Sequence, residues 1–230
     1  MLTPQRKRGV EILDLPDTDP EVLTRSLADV ARANALFGGV SSAVREVELV
    51  LKDLPRCATL LDVGTGLGDI PCRIRGVARQ YGVELTTVGM DAALELARAS
   101  RKSVSLAVCG DALHLPFADR SFDVVMCSQL LHHFFDADSA MLLREMDRVA
   151  RVRVVVSDLR RSWIAAAGLW LASFPLGFHA ISRHDGVVSV LRGFTPEELA
   201  DTVKRALART PVVHQRRGFR LTASWTPGER

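Results

Sequence analysis

Three carboxylates follow three consecutive apolar runs of the sequence, and their types and spacing suit a single polar ligand. Asp62 stands just before a glycine-rich turn, Asp91 ends the next run, and Asp111 follows the third. A carboxylate attracts cations and accepts hydrogen bonds from hydroxyl and amino groups. If the three runs are neighbouring strands of one sheet, their ends meet at one edge, and we expect the three acids to share a ligand there.

The glycine-rich turn decides between two ligands. A dinucleotide fingerprint would place the third glycine one position later than Gly68. Asp62 and Asp69 are also poor neighbours for a pyrophosphate but good partners for a cation. S-adenosylmethionine carries an ammonium and a sulfonium and no phosphate, so we predict this cofactor rather than NAD, which stays the alternative. Asp91 would then accept hydrogen bonds from the ribose hydroxyls, and Asp111 from the adenine amino group.

Four histidines are candidates for proton transfer. His132 and His133 follow the fourth predicted strand, whereas His179 and His184 lie in a segment predicted to be irregular, where Asp185 could orient His184. A hydroxyl acceptor gains from a general base, and histidine is the usual one. We predict that one of His133, His179 and His184 has this role; the alternative for the position of His132 and His133 is that it only closes the cofactor pocket. No acidic or His/Cys pattern indicates a metal site.

Strands that alternate with helices must position these residues. The predicted strands are 59–63, 85–90, 104–108, 122–127, 152–156, 212–215 and 220–225. This order predicts an α/β fold with a mostly parallel sheet and helices on both faces. Residues 1–54 are predicted as an N-terminal helical cap, with Asp19 as the N-cap before Pro20, and residues 55–230 as the main domain. Thr195-Pro196-Glu197-Glu198 predicts a capped helix start, and 177–193 is predicted irregular.

An almost wholly apolar helix follows the fifth strand. Trp163, Ala166, Ala167 and Trp170 share one of its faces, which favours core packing, or else a lid over a lipophilic acceptor or a homodimer surface. Arg32 or Asn34 of the N-terminal helices could complete such a lid. The apolar stretch is shorter than the roughly 20 residues of a membrane span, so we predict no stable membrane insertion.

Composition narrows the class of protein. The net charge is +3 over 230 residues with no long basic run, so a nucleic-acid partner is not expected. The basic cluster of Arg216, Arg217 and Arg220 is interpreted as a solvated face. Four cysteines without metal-ligand spacing are predicted to be buried free thiols in a reducing compartment, and a cytoplasmic protein is expected.

Three sequence segments together resemble a known family. LLDVGTGLGD, VGMD and GDALHLPFADRSFDVVMCSQLLHHF are similar, in this order, to the motifs of class I S-adenosylmethionine-dependent methyltransferases, especially the ubiquinone- and menaquinone-biosynthesis type and its polyketide and phenolic relatives. The resemblance covers residues 56–158. It implies a Rossmann-like sheet of seven strands with the last one antiparallel. The Lys-Pro-Gly-Gly turn of many relatives is replaced by the sequence of residues 148–153, away from the expected cofactor.

The resemblance also implies which residues hold the cofactor. They are Asp62, Gly64, Thr65, Gly66, Gly68, Met90, Asp91, Asp111, Ala112, Ser128 and Gln129. The expected reaction is methyl transfer to a small, lipophilic aromatic acceptor, with O-methylation of a phenol or polyketide favoured. C-methylation of a quinone precursor and a non-catalytic S-adenosylmethionine-binding protein are the alternatives.

Overall fold

A single sheet organises the chain. The computed structural model describes residues 3–7, 9–14 and 20–228. The strands are β1 (Cys57–Val63), β2 (Glu84–Asp91), β3 (Leu106–Cys109), β4 (Phe122–Ser128), β5 (Ala150–Leu159), β6 (Val212–Arg216) and β7 (Arg220–Trp225). Their order is β3-β2-β1-β4-β5-β7-β6. The first five are parallel, and β7 runs antiparallel to β5 and β6, which confirms the predicted fold class.

Helices cover both faces of this sheet. Those described are α1 (Pro20–Leu36), α2 (Gly39–Glu48), α3 (Asp69–Gln80), α4 (Leu94–Ser100), α5 (Asp136–Val149), α6 (Trp163–Ser173), α7 (Ala180–Arg192) and α8 (Pro196–Leu207). One core joins the sheet to α5 and α8, and a second joins it to α2 and α3. Successive strand residues alternate between the two, as Leu60 and Leu61 do. Burial on both sides explains why the central strands read as continuous apolar runs.

The second helix of the predicted N-terminal cap packs into the core of the sheet. Helix α1 begins at Pro20 as predicted, while Asp19 lies outside the described residues. Ala43 and Val47 of α2 belong to the same core as β1 and β4. The buried carboxylate of Glu46 also accepts hydrogen bonds from Thr222 and Ser224 of β7. Helix α2 thus shares the core of the sheet, and the domain boundary near residue 54 stays a prediction.

The prediction that residues 177–193 are irregular is wrong for residues 180–192, which form helix α7. The sequence signal is weak, since Gly186 and several valines lower helix propensity. Packing of α7 against α6 compensates for this low helix propensity. A Cβ on Gly186 would lie 2.9 Å from the side chain of Leu169, so glycine permits the close approach of the two helices. The predicted capping box of α8 is confirmed, with Thr195 and Glu198 bonded reciprocally.

Helix α6 presents a different face from the predicted one. Trp163 and Trp170 are 46% and 47% exposed, whereas Ala166 is buried, so the expectation that the two tryptophans pack in the core is wrong. Among the described helices, none has both the length and the apolar character needed to cross a bilayer. The cysteine prediction is wrong for Cys57, Cys72 and Cys109, which are exposed; Cys127 alone is buried in β4.

Candidate cofactor and acceptor sites

The glycine-rich turn between β1 and α3 is held by the neighbouring strand. The backbone N–H groups of Gly64 and Thr65 donate to the carbonyl oxygen of Met90 at 2.8 and 2.9 Å. Gly66 has a positive φ of 55°, and a Cβ placed there would meet nothing within 4 Å. The turn therefore leaves open space beside its backbone, where a ligand can approach.

Asp62 is a buried acid with unused hydrogen-bonding capacity. It is 2% exposed, and its Oδ2 accepts a hydrogen bond from the Thr65 hydroxyl at 2.8 Å. Its Oδ1 is buried and has no hydrogen-bond partner. Burial raises the pKa of this carboxyl to about 7, with the nearby charges of Asp69 and Asp91 adding to the effect. A cationic group beside Oδ1 would satisfy the free oxygen and favour the ionised carboxylate.

Asp91 joins the end of β2 to the same turn. Its Oδ2 accepts from the backbone N–H of Gly66 at 3.0 Å, and its Oδ1 from that of Ala93 at 3.0 Å. Burial raises its pKa, although the backbone hydrogen bonds act in the opposite direction. Each oxygen keeps a lone pair that can accept a hydroxyl proton. Asp62 and Asp91 are thus brought to the turn, as the sequence predicts.

The remaining predicted cofactor residues differ in accessibility. Asp111 is 61% exposed in its side chain, and it accepts hydrogen bonds from the backbone of Leu113 and pairs with His114. Those hydrogen bonds lower its pKa. Ala112 is half-buried against the core. The side chain of Met90 is buried in the core and its carbonyl oxygen serves the turn, so its contact with the cofactor stays a prediction.

Besides the open space at the glycine-rich turn, the structure has a cavity beyond the ends of β4 and β5, under α1, α6 and α7. We call it the apolar cavity; its volume is about 390 Å³. The residues that line it are Glu11, Leu13, Asp29, Val30, Ala33, Asn34, Phe37, Gln129, Leu159, Ile164, Ala165, Gly168, Leu169, Phe178, Ser182, Asp185, Gly186, Ser189, Val190, Gly218, Phe219 and Arg220. Helix α6 does cover a cavity, but with the face of Ile164, Ala165 and Gly168 rather than with its tryptophans.

A polar chain of three side chains crosses one wall of the apolar cavity. The Gln129 side-chain amide donates to Asn34 Oδ1, and its Oε1 accepts from Arg220 Nη1 at 2.8 Å. Gln129 has a positive φ of 53°, which turns the chain directly after β4. Asn34 lines the cavity as predicted, whereas Arg32 is exposed and pairs with Asp29. The prediction that Arg220 belongs to a solvated face is wrong, because it is buried at 4% exposure.

A buried ion network adjoins the apolar cavity. His132 Nδ1 lies 2.7 Å from Asp158 Oδ1, and its Nε2 lies 3.7 Å from Glu11 Oε1. Burial opposes the charged form, but the charge and hydrogen bond of Asp158 raise the pKa of His132 to about 9. Arg192 donates to Glu11 at 3.0 Å. Glu11, His132 and His133 also have the spacing of a metal site, but a cation there would have to displace Arg192 and a proton.

The three predicted catalytic histidines are not brought together. His133 Nε2 lies 3.9 Å from Glu11, His184 pairs with Asp185 at 2.8 Å and is 52% exposed, and His179 caps α7. None of these three histidines is among the described residues that line the apolar cavity. The carboxylate of Asp185 mainly accepts from the backbone N–H groups of Ile12 and Leu13. The general-base prediction finds no support in this geometry.

Apart from Asn34, sequence reasoning did not identify the residues that line the apolar cavity as acceptor contacts. Glu11, Asp29 and Arg220 come from three distant segments and match no motif. The one available signal is Gln129, in the resemblance segment directly after β4. This segment also connects the two regions, because a Cβ on Gly64 would lie 2.9 Å from the side chain of Leu130. The glycine-rich turn and the apolar cavity are therefore connected through Gln129, which lines the cavity, and Leu130, which contacts the turn.

Comparisons with known proteins find similar methyltransferases. Residues 61–156 match the model of a methyltransferase domain family. The demethylmenaquinone methyltransferase of Roseiflexus sp. (strain RS-1) is 30% identical over 236 residues, which cover 94% of this chain and 96% of that protein.

Two solved structures share the fold at low sequence identity. The plantazolicin methyltransferase BpumL, in complex with a triazolic desmethylPZN analogue and S-adenosylhomocysteine, superposes with a TM-score of 0.68 at 12% identity, covering 92% of each chain. A Thermotoga maritima methyltransferase, described as a possible histamine N-methyltransferase, gives a TM-score of 0.59 at 16% identity, covering 90% of this chain and 99% of that one. These likenesses show the fold.

Proposed function

Because the chain belongs to the class I S-adenosylmethionine-dependent methyltransferases, we propose that it methylates a small, lipophilic aromatic acceptor bound in the apolar cavity. The observation that carries this proposal is the cavity itself, which has a volume of about 390 Å³ and a mostly apolar wall. It is large enough for a ligand of one or two rings. Gln129 of its wall is followed by Leu130, which contacts the glycine-rich turn, so an acceptor in the cavity would lie near the cofactor.

S-adenosylmethionine is the cofactor of this enzyme, and we propose which residues hold it. The unpartnered Oδ1 of Asp62 suits the ammonium of the methionine part, and Gly64, Thr65, Gly66 and Gly68 shape the turn beside it. Asp91 takes the ribose hydroxyls, while Asp111 and Ala112 lie where the adenine is expected. The hydroxyl of Ser128 at the end of β4 is buried and unpartnered, and we propose that it contacts the methionine part of the cofactor. These roles rest on geometry and family resemblance.

The chain's own residues align the acceptor and exclude water. The cofactor supplies a methyl group already activated by its sulfonium. Closing the cavity with α1, α6 and α7 keeps water from the acceptor, and fixed alignment contributes on the order of 7–11 kcal/mol to such reactions. In the described wall, the ionisable groups are Glu11, Asp29, Asp185 and Arg220. The pKa values of Glu11 and Asp29 are lowered, against the effect of burial, by their hydrogen bonds, so both are weak bases.

O-methylation of a phenol is the reaction this wall favours, because ionised phenols need no strong base. C-methylation of a quinone precursor is the second candidate, and the specific observation that favours it is the similarity to a demethylmenaquinone methyltransferase over nearly the whole chain. Both reactions start from an electron-rich hydroxylated ring. Dimerisation, a cytoplasmic location and the lack of a nucleic-acid partner stay predictions.

The test combines cofactor binding with an acceptor panel. Calorimetry with S-adenosylmethionine, S-adenosylhomocysteine and NADH should show binding of the first two only. Purified enzyme with ¹³C-methyl-labelled cofactor is then given naphthols, alkyl phenols, naphthohydroquinones and hydrophilic amines. We expect labelled product from the hydroxylated rings, with the ¹³C chemical shift separating methyl ethers from C-methyl groups. Labelling of only the hydrophilic amines would contradict the proposed acceptor class.

A further inference from the structure

Arg220 places a positive charge inside a mostly apolar wall. Its side chain is 4% exposed and lines the apolar cavity at the start of β7. Nε donates to the carbonyl oxygen of Phe37 at 3.2 Å, and Nη1 donates to Gln129 Oε1 at 2.8 Å. Both acceptors are neutral. Burial lowers the pKa of this guanidinium to about 10, although the charge of Asp158 opposes the change.

The acids around the cavity are already engaged by other groups. Glu11 is held by Arg192, and Asp29 by Arg32. Asp185 accepts two backbone hydrogen bonds and pairs with His184. Asp158, whose charge raises the pKa of Arg220, is bonded to His132. In the part of the chain that the structure describes, Arg220 forms no ion pair within 4.0 Å.

A buried charge without a counter-charge is costly, so its presence in a ligand cavity needs a reason. Structural use alone does not explain it, because the two hydrogen bonds to Gln129 and Phe37 could be made by a neutral side chain. The guanidinium has five N–H donors, of which only two are accounted for by these bonds. Because Arg220 lines the apolar cavity, its remaining donors can serve a ligand oxygen bound there.

We propose that Arg220 is an anion subsite of the apolar cavity, which binds the ionised hydroxyl oxygen of an aromatic acceptor. Binding takes up the phenolate or enolate, and the proton of the hydroxyl goes to solvent. The bound oxygen gains a charge-assisted hydrogen bond in a low-dielectric wall, so its pKa falls and no separate base is required. Gln129, which is itself bonded to Asn34, and the carbonyl oxygen of Phe37 hold the guanidinium in place. This inference rests on the proposed function, which places the acceptor in this cavity.

The test uses 4-nitro-1-naphthol, whose ionised form absorbs visible light, and its methyl ether as the neutral control. Binding to the wild-type protein is followed by absorbance and calorimetry across a pH series. We expect the naphthol to bind about 10- to 100-fold more tightly than the ether, with its own pKa lowered on binding. Arg220→Met should abolish both differences, Arg220→Lys should keep part of them, and Arg217→Met, an exposed charge on the same hairpin, should leave them unchanged.

The outcomes separate this subsite from its alternatives. Equal binding of naphthol and ether to the wild-type protein overturns the proposal, whatever the variants do. So does an unchanged naphthol pKa in an Arg220→Met protein that retains its melting temperature. A loss of S-adenosylhomocysteine affinity alone would assign Arg220 to the cofactor carboxylate, and also overturns it. If the naphthol binds as expected but no hydroxylated ring is methylated, the subsite stands and the proposed function fails.

Discussion

The glycine-rich turn and the apolar cavity lie side by side but are built in opposite ways. The turn uses residues 62–69 with the end of β2, and its shape comes from backbone hydrogen bonds and glycine conformations. The wall of the apolar cavity draws on residues from Glu11 to Arg220, contributed by helices, loops and a hairpin. A local backbone shape is preserved by a short motif, whereas the cavity wall depends on how distant segments pack.

The two regions also differ in charge. Asp62 and Asp91 leave acidic oxygens at the turn, and burial raises the pKa of both. The apolar cavity instead holds the buried cation of Arg220, and its own acids are paired. The acidic turn would therefore favour the cationic cofactor, and the cavity with Arg220 would favour an ionised acceptor. The following variants test whether the two regions act independently.

The largest effect is expected from Gly66→Ala. The new Cβ meets no protein atom but enters the open space of the turn, so we expect S-adenosylmethionine affinity to fall about 100-fold or more, which corresponds to ~2.7 kcal/mol. Gly82→Ala is the matched control, because Gly82 also has a positive φ, of 74°, and open space but lies in a remote turn. Calorimetry measures both. Equal losses in the two variants would show that backbone strain, not contact with the cofactor, is responsible.

A somewhat smaller and complementary effect is expected from Gly168→Leu. Gly168 lines the apolar cavity from α6, and its Cβ position is open, so a leucine would fill space meant for the acceptor. We expect naphthol binding to weaken about tenfold or more, a change of ~1.4 kcal/mol, while S-adenosylmethionine affinity stays unchanged. Gly76→Leu on α3, equally open but outside the cavity, is the control. Loss of cofactor binding in Gly168→Leu would break the separation of the two regions.

The pH dependence of cofactor binding follows from Asp62. Its pKa is about 7 without a cationic partner, so below pH 7 the carboxyl is increasingly neutral and must lose a proton to hold an ammonium. We therefore expect S-adenosylmethionine affinity to fall with decreasing pH, by at most about tenfold per unit, and to level off above pH 7. Calorimetry in buffers of different ionisation enthalpy counts the released proton. Asp62→Asn should bind more weakly and without this slope; a slope that survives the substitution would assign the proton to another group.

The smallest effect is expected from Asp111→Ala. This carboxylate is mostly exposed and already bonded to its own turn, so one hydrogen bond to an adenine amino group contributes little. We expect a loss of cofactor affinity of about 3- to 10-fold, or ~0.5–1.5 kcal/mol. Asp201→Ala, at an exposed position of α8, serves as the control. A loss as large as that of Gly66→Ala would show that the loop after β3 closes over the cofactor and buries this acid.

Much of the fold could be predicted from hydrophobic periodicity and from turn and capping residues, but helix α7 could not. The predicted β7 agrees with the observed strand, and the capping box at Thr195 marks the start of α8. For α7, Gly186 and the neighbouring valines give no helical signal, and the helix depends on its close packing against α6. The prediction that the tryptophans of α6 pack in the core is wrong for a related reason. Apolar character alone does not say which face of a helix packs against its neighbours.

The sequence by itself determined the sheet, the glycine-rich turn and the placement of Asp62 and Asp91 beside it. These features depend on neighbours in the chain and on strand ends that any parallel sheet brings to one edge. Only the tertiary structure decided that Arg220 is buried while Arg217, three residues earlier, is exposed, and that His133, His179 and His184 stay apart. The physical reason is that burial and charge pairing depend on packing between distant segments, which sequence spacing does not encode.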